Sequence, residues 1–158
     1  MPQQPRTEAP RLTVRRAEKE DLSAVLSMEN ECFSDPYTEG SVLSALLSPV
    51  AKNLMIFSGD RPVGYLLATE VCDEAEILRI AVCRDFRRRG IARDLLAAFL
   101  RDRKEDGVCF LEVRHSNEAA IALYTSAGFT VYGRRKNYYK NPSEDALLLR
   151  FPPEKEPI

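Results

Sequence analysis

The chain has 158 residues, of which 44% are hydrophobic and 30% charged, and its net charge is -1. This length suits one domain, no stretch reaches the roughly 20 apolar residues of a membrane span, and the balanced charge argues against general nucleic-acid binding. The first ten residues lack the apolar core of a signal peptide, and the four cysteines have no Cys-x-x-Cys spacing. We therefore expect a cytoplasmic domain with no metal site, no disulfide framework, and neither a membrane nor a nucleic acid as a direct partner.

The two ends of the chain differ in composition from the rest. Residues 1–10 are rich in Pro and Gln, and residues 152–158 contain three prolines. Proline lacks the backbone donor that helices and strands require, so we expect both ends to be flexible tails. A single domain is predicted for residues 11–151.

The first half of the chain predicts one strand, two helices and three strands. Apolar residues alternate at residues 12–15, which is typical of a strand. Two helical stripes follow, the first with Leu22, Val25 and Leu26, and the second with Leu43, Leu46 and Leu47. Extended runs then occupy residues 53–58, 62–71 and 75–82, and their short connections favour antiparallel hairpins.

The second half alternates helices and strands. Apolar residues recur every four positions at Ile91, Leu95 and Phe99, which predicts a helix. A strand at 108–113, a helix at 117–127 ended by Gly128, and strands at 129–136 and 145–151 follow. The predicted order is β-α-α-β-β-β-α-β-α-β-β, an α/β layered domain with a mixed, mostly antiparallel sheet flanked by helices.

The segment from Ile80 to Arg93 passes from a strand through an Arg-rich turn into a helix. It holds five arginines and one aspartate. The first N–H groups of a helix have no acceptor within the helix, Gly90 permits close backbone approach, and arginine binds phosphate in bidentate fashion. The turn is a candidate phosphate site, although a run of arginines can equally be a solvated helix entrance. The glycine spacings of a P-loop and of a Rossmann fingerprint are both absent.

Three segments of the chain resemble a known family. The segment Arg87-Arg88-Arg89-Gly90-Ile91-Ala92 matches the Arg/Gln-x-x-Gly-x-Gly/Ala signature of the GNAT superfamily of acetyl-CoA-dependent N-acetyltransferases. Residues 111–129, with Leu-Glu-Val-Arg, Ser-Asn and Gly-Phe, and residues 135–139, Arg-Lys-Asn-Tyr-Tyr, resemble the bacterial ribosomal-protein-alanine N-acetyltransferases (RimI). The resemblance covers about residues 11–150 and implies the GNAT fold.

The resemblance implies a site for acetyl-CoA as cosubstrate. Its pyrophosphate would lie on the turn, and its pantetheine arm beside backbone groups of the preceding strand, which in the family separates from its neighbour. The implied cofactor-binding residues are Ile80, Ala81, Val82, Arg87, Arg88, Arg89, Gly90, Ile91, Ala92, Arg93 and Asn117. Asn117 is also a favoured helix N-cap, and we weigh the two interpretations equally.

Two residues match the family's catalytic groups. The resemblance implies that Glu112 is the general base, directly or through water, and that Tyr124 is the acid that protonates the leaving thiolate. A carboxylate in an apolar strand is costly unless it is paired or used, which favours a function for Glu112 over a simple pairing with Arg114. Tyr124 shares an apolar stripe with Ala120 and Leu123, so core packing is its main alternative.

The acceptor is expected beside three tyrosines, Tyr37, Tyr138 and Tyr139. Tyr37 stands where relatives often have Trp, which makes acceptor choice the least constrained expectation. The resemblance implies transfer to the N-terminal alanine of a small-subunit ribosomal protein. The alternatives are a GNAT enzyme that acetylates a lysine side chain or a small amine, and a non-catalytic acetyl-CoA sensor.

Overall fold

The structure is a computed structural model that describes residues 10–154. Of the tails expected at residues 1–10 and 152–158, residues 1–9 and 155–158 lie outside the described residues. The elements are β1 (Leu12–Arg16), α1 (Leu22–Cys32), α2 (Glu39–Leu47), β2 (Leu54–Ser58), β3 (Arg61–Val71), β4 (Glu74–Val82), α3 (Ile91–Arg101), β5 (Val108–Arg114), α4 (Glu118–Ser126), β6 (Thr130–Tyr139) and β7 (Glu144–Phe151). The predicted order of helices and strands is confirmed.

The strands form one sheet with the order β1-β2-β3-β4-β5-β7-β6. Strands β4 and β5 run parallel, and the other neighbouring pairs are antiparallel. The parallel pair requires a crossover, which α3 supplies, whereas the hairpins need only short turns. The mixed, mostly antiparallel sheet therefore follows from the positions of the helices along the chain.

Each face of the sheet packs against one pair of helices. The larger core lies against α3 and α4 and includes Leu95, Phe99 and Phe129. The second core lies against α1 and α2 and includes Val25 and Leu46. The layers are a helix pair, the sheet and a second helix pair. Side chains from both helix pairs can therefore contribute to a cleft at an end of the sheet.

The buried face of α2 differs from the predicted one. Val42 and Leu46, four residues apart, face the core, whereas Leu47 is 58% exposed. An α-helix has about 3.6 residues per turn, so consecutive side chains such as Leu46 and Leu47 point in different directions and cannot both lie at the centre of one buried stripe. The strand predicted at 129–136 is also longer, because pairing with β7 continues to Tyr139 opposite Glu144.

None of the described helices is both long enough and apolar enough to cross a bilayer.

Candidate active site

Strands β4 and β5 separate partway along their length. They pair from Glu74 opposite Val108 to Ile77 opposite Leu111, and then the pairing stops although both strands continue. At this point Leu78 is the extra residue of a β-bulge against β3, where Leu67 pairs with Arg79 and Ala68 with Ile77. A bulge bends a strand and increases its twist, so β4 turns away from β5 and a cleft opens between them.

Backbone groups of β4 line this cleft. The Cys83 N–H donates to the Val63 carbonyl of β3 at 2.8 Å. Because successive residues of a strand direct their polar groups to opposite sides, Ala81 also faces β3, while Ile80 and Val82 face the cleft. Ala81 therefore borders the cleft only with its small side chain. The Val82 carbonyl already accepts from Arg87 Nε at 3.1 Å.

The turn after β4 presents free backbone donors. Gly90 is the N-cap of α3 with φ 75°, and Arg88 also has a positive φ of 63°. The N–H groups of Arg88, Arg89 and Gly90 have no backbone acceptor within residues 10–154. A Cβ built on Gly90 would meet no atom within 4 Å, so there is open space directly in front of the helix end. Free donors, open space and the positive end of a helix dipole together fit an anion.

The arginines of the turn do not share one position. Arg87, Arg88 and Arg93 border the cavity at the helix end. Arg87 is held by its bond to the Val82 carbonyl, while the Arg89 guanidinium lies 4.9 Å from the centre of the Phe86 ring. Arg89 is not among the residues that border the cleft cavities within the described chain. Arg88 and Arg93 are thus the arginines best placed to meet an anion.

Three adjoining cavities connect the turn to the separated strands. The first, of about 450 Å³, lies at Gly90, Ile91 and Ala92. The second, of about 510 Å³, shares Arg88 and Ala92 with the first and extends along Ile80 and Val82. The third, of about 190 Å³, shares Ile80, Asn117 and Ala120 with the second. The cleft is therefore continuous from the helix end to the face of β5.

Asn117 caps α4, as one of its two sequence interpretations predicts. Its Oδ1 accepts from the Ala120 N–H at 3.2 Å. The same residue borders both the second and the third cavity. The cap uses the carbonyl oxygen, so the amide NH₂ stays free to donate into the cleft.

Glu112 lies at the inner end of the cleft. It borders the third cavity, and its side chain is 24% exposed. Its Oε1 lies 3.2 Å from Arg135 Nε of β6, whereas Arg114 pairs with Glu144 and Asp35 instead. The partner considered from the sequence, Arg114, is therefore not the one that Glu112 has.

Tyr124 reaches the same cavity from the opposite side. It projects from α4, is 5% exposed and packs edge-on against Phe129, with ring centres 5.5 Å apart. Burial raises the pKa of Tyr124, so its phenol stays protonated at neutral pH. Packing and cavity lining both apply, because the ring is in the core while the residue borders the cleft.

The three predicted acceptor tyrosines lie around this end of the cleft in different ways. Tyr139 borders the third cavity, and burial raises its pKa to about 12. Tyr138 is 47% exposed, and the Glu112 carboxylate raises the pKa of its phenol through hydrogen bonding and charge. Tyr37 packs over the guanidinium of Arg79, with 4.1 Å from Cζ to the ring centre, and does not border the cavity itself.

Sequence reasoning missed a buried ion pair beside these tyrosines. Arg79 on β4 binds Glu29 on α1, and the Glu29 side chain is completely buried. Both residues interrupt apolar patterns, Arg79 within Ile-Leu-Arg-Ile and Glu29 on the stripe that contains Val25. The argument that singles out Glu112, a charge within an apolar strand, would have found Arg79 as well.

Comparisons with known proteins agree with this architecture. A model of the acetyltransferase (GNAT) family matches residues 22–129. The chain is 37% identical over 136 residues to the ribosomal protein bS18-alanine N-acetyltransferase of Salmonella typhimurium, covering 84% of this chain and 91% of that protein. It is 33% identical over 144 residues to the enzyme of that name from Escherichia coli, covering 89% and 97%. The crystal structure of the ribosomal-protein-S18-alanine N-acetyltransferase from Escherichia coli superposes with a TM-score of 0.85 and 31% identity, over 94% of this chain and 99% of that chain.

Proposed function

Because the chain belongs to the acetyltransferase (GNAT) family, we propose that it transfers acetyl from acetyl-CoA to the N-terminal alanine of a small-subunit ribosomal protein. The observation that carries the proposal is the continuous cleft, which joins an anion site at Gly90 to a carboxylate and a phenol at its other end. The acceptor comes from the two relatives named for ribosomal protein bS18 alanine, which match nearly the whole chain.

The residues at the helix end fit a pyrophosphate. Backbone N–H groups of Arg88 and Gly90 would donate to its oxygens, with Arg88 and Arg93 adding positive charge. Arg87 would support the loop through Val82 rather than bind phosphate directly. The second cavity has an apolar lining that includes Ile80, Ala81 and Leu123, which suits the pantetheine arm.

The inner end of the cleft supplies two proton-transfer groups. The acceptor amine attacks the thioester carbonyl, an amide bond forms and the carbon–sulfur bond breaks. Glu112 takes the proton that the amine loses, directly or through a water, and Tyr124 gives its proton to the departing thiolate. As the amine attacks, negative charge develops on the thioester oxygen. The N–H groups of Ile80 and Val82 face the cleft and are the candidate donors to this oxyanion.

An α-amino group suits this site better than a lysine side chain does. Its pKa is about 7.7 to 8.0, against about 10.4 for lysine, so a far larger fraction is neutral and nucleophilic near pH 7. Tyr138 and Tyr139, on the hairpin of β6 and β7, would line the path of the peptide together with Phe33 and Leu78.

The four cysteines are free, and ribosomal proteins are made in the cytoplasm, so we place the enzyme there.

The direct test is mass spectrometry of isolated ribosomal proteins incubated with the purified chain and isotopically labelled acetyl-CoA. We expect one label, located by fragmentation on the α-nitrogen of an N-terminal alanine. A matched incubation with the Glu112→Gln variant controls for non-enzymatic acetylation.

Two other outcomes would contradict the proposal. Label on lysine side chains, or faster turnover of a polyamine than of an alanine peptide, would move the acceptor to another amine. Tight binding of acetyl-CoA without label on any acceptor would instead favour a sensor.

A further inference from the structure

Within residues 10–154, the hydrogen bonds, ion pair and ring contacts of the Arg79 side chain all go to one short stretch of the chain, residues 29–37. Its Nε and Nη2 lie 3.1 and 3.0 Å from Glu29 Oε2, and its Nη2 donates to the Asp35 carbonyl at 3.1 Å. Its guanidinium also lies between two rings, 3.6 Å from the centre of Phe33 and 4.1 Å from that of Tyr37. One arginine therefore holds the end of α1 and the loop that follows it.

The β-bulge at Leu78 gives Arg79 this direction. If the strand alternated regularly through Leu78, Arg79 would lie on the same face as Ile77, which is in the core against α3 and α4. After the bulge, Ile80 and Val82 contribute to that core, while Ala81 packs toward α1. Arg79 faces α1 with Ala81, so the irregularity that opens the cleft also turns the arginine toward the loop.

The loop that Arg79 holds borders the acceptor end of the cleft. Phe33, Asp35 and Arg79 line the third cavity together with Glu112 and Tyr139. Asp35 is also within 4.0 Å of Arg114, whose guanidinium lies 4.4 Å from the centre of the Tyr139 ring. Residues 33–38, called here the acceptor loop, thus contact both Arg79 of β4 and Arg114 of β5.

We propose that Arg79 is a positioning residue that fixes the acceptor loop against β4, so that binding of the acceptor depends on it more strongly than binding of acetyl-CoA, whose second cavity meets this loop only at Phe33. The inference rests on the proposed function for the identity of the acceptor. Guanidinium is the group that these contacts require, because it can stack on rings with its flat face while its edge donates several hydrogen bonds. Lysine offers the charge without the plane.

Completely buried Glu29 fixes the arginine in turn. Its Oε2 holds Arg79, and its Oε1 has no hydrogen-bond partner within the described residues. A buried carboxylate without its cation is costly, so removal of Arg79 alone endangers folding. Replacement of both partners by apolar residues of similar size removes that cost, and such exchanges are often neutral or stabilising.

Two variants separate positioning from folding. Arg79→Lys keeps the charge near Glu29, and the double variant Glu29→Met with Arg79→Met keeps a packed interior, while both lose the stack and the bond to the Asp35 carbonyl. We expect the KM for a synthetic peptide beginning with alanine to rise about tenfold in both, with the KM for acetyl-CoA within twofold of wild type.

Arg15 offers a matched control for a stacked, ion-paired arginine far from the cleft. It binds Asp21 with two hydrogen bonds of 2.8 Å and lies 4.6 Å from the centre of the Phe57 ring. We expect Arg15→Lys to lower the thermal midpoint without changing either KM. A general loss of stability would lower the active fraction, and with it the apparent kcat, in all variants alike.

Hydrogen exchange measures the acceptor loop without any acceptor. We expect the amides of Ser34, Asp35 and Tyr37 to exchange at least several-fold faster in Arg79→Lys than in wild type, with α3 unchanged. Unchanged loop exchange in a folded variant would overturn the proposal, and so would equal rises of both KM values. If the wild-type protein acetylates no alanine peptide, the proposed function fails, and the exchange result still decides the role of Arg79.

Discussion

The two ends of the cleft are built in different ways. At the helix end, the groups that face the open space are backbone donors and exposed arginines, held by a turn with positive φ at Arg88 and Gly90. At the acceptor end, charged side chains are paired with partners from distant segments, as in Arg79 with Glu29 and Glu112 with Arg135. The polar groups of the first end come from one continuous segment, whereas those of the second end come from α1, β4, β5, α4 and the last hairpin.

This difference predicts which property each substitution changes. We expect backbone shape at the turn to determine the affinity for acetyl-CoA, because the donors belong to the main chain and cannot be replaced by another side chain. We expect side-chain pairing at the acceptor end to determine acceptor binding and proton transfer. A substitution at one end that altered the property of the other would break the comparison.

The largest effect is expected for Gly90→Val. The valine would take up the open space in front of α3 and would have to adopt φ 75°, which β-branched residues strongly disfavour. We expect the affinity for acetyl-CoA to fall by at least about a thousandfold, measured by calorimetry, as the phosphate contacts and the turn are both lost.

Gly40→Val is the control for that substitution. Gly40 lies in the first turn of α2 and does not have a positive φ. The atom nearest to a Cβ built on Gly40 is Thr38 Oγ1, at 4.0 Å. Its affinity for acetyl-CoA should stay within twofold of wild type. Wild-type affinity in Gly90→Val would refute the assignment of the turn as the phosphate site.

Glu112→Gln should reduce kcat by about a hundredfold, which is the lower range for removal of a general base. The amide keeps the shape of the side chain and can still accept from Arg135, so the affinity for acetyl-CoA should remain near wild type. Steady-state kinetics and calorimetry on the same preparation measure both quantities. Unchanged turnover would exclude Glu112 from proton transfer.

Tyr124→Phe should have a smaller effect on kcat, about tenfold to a hundredfold, because solvent can in part protonate a thiolate. The ring and its packing on Phe129 remain, so the thermal midpoint should change little. A thioester with a more acidic leaving thiol should reduce the difference in kcat between the variant and wild type, because such a thiolate needs less protonation. If kcat of the variant and of wild type changes equally with the leaving group, Tyr124 is a packing residue.

The same contrast explains what could be predicted from the sequence. The turn is contiguous, so the motif Arg87–Ala92 predicted a candidate anion site between a strand and a helix, and the structure has this motif between β4 and α3. The order of elements followed in the same way from local periodicity and short connections. Local patterns predicted the elements that neighbours in the chain form, although they assigned Leu47 wrongly to the buried stripe of α2.

The acceptor end depends on strand registers, which local patterns do not fix. The bulge at Leu78 decides that the backbone polar groups of Ala81 point to β3 and that the Arg79 side chain points to α1. A shift of one residue reverses both directions. The pairing of Glu112 with Arg135 depends on irregular register between β6 and β7. Within the turn, five similar arginines could not be ranked, because the backbone conformation at Arg88 determines where each side chain points.

The smallest effect is expected from Asp145, which ties β6 to β7 beneath the acceptor tyrosines. Its Oδ1 accepts from the Asn137 N–H at 2.8 Å and its Oδ2 from Arg134 Nε at 2.7 Å, and these bonds, the first above all, hold its pKa below the usual value. A lowered pKa in the folded state means that the stabilisation is complete above pH 4 and is lost as the pH falls through the lowered value. Asp145→Asn should therefore lower the thermal midpoint slightly at pH 7, and the difference in midpoint from wild type should shrink as the medium becomes more acidic than pH 4.

The affinity of Asp145→Asn for acetyl-CoA at pH 7 should not change, since the hairpin does not border the helix end. A midpoint difference that stays constant across this pH range would mean that the charge of Asp145 does not stabilise the hairpin, and a loss of acetyl-CoA affinity would mean that the two ends of the cleft are coupled through the sheet.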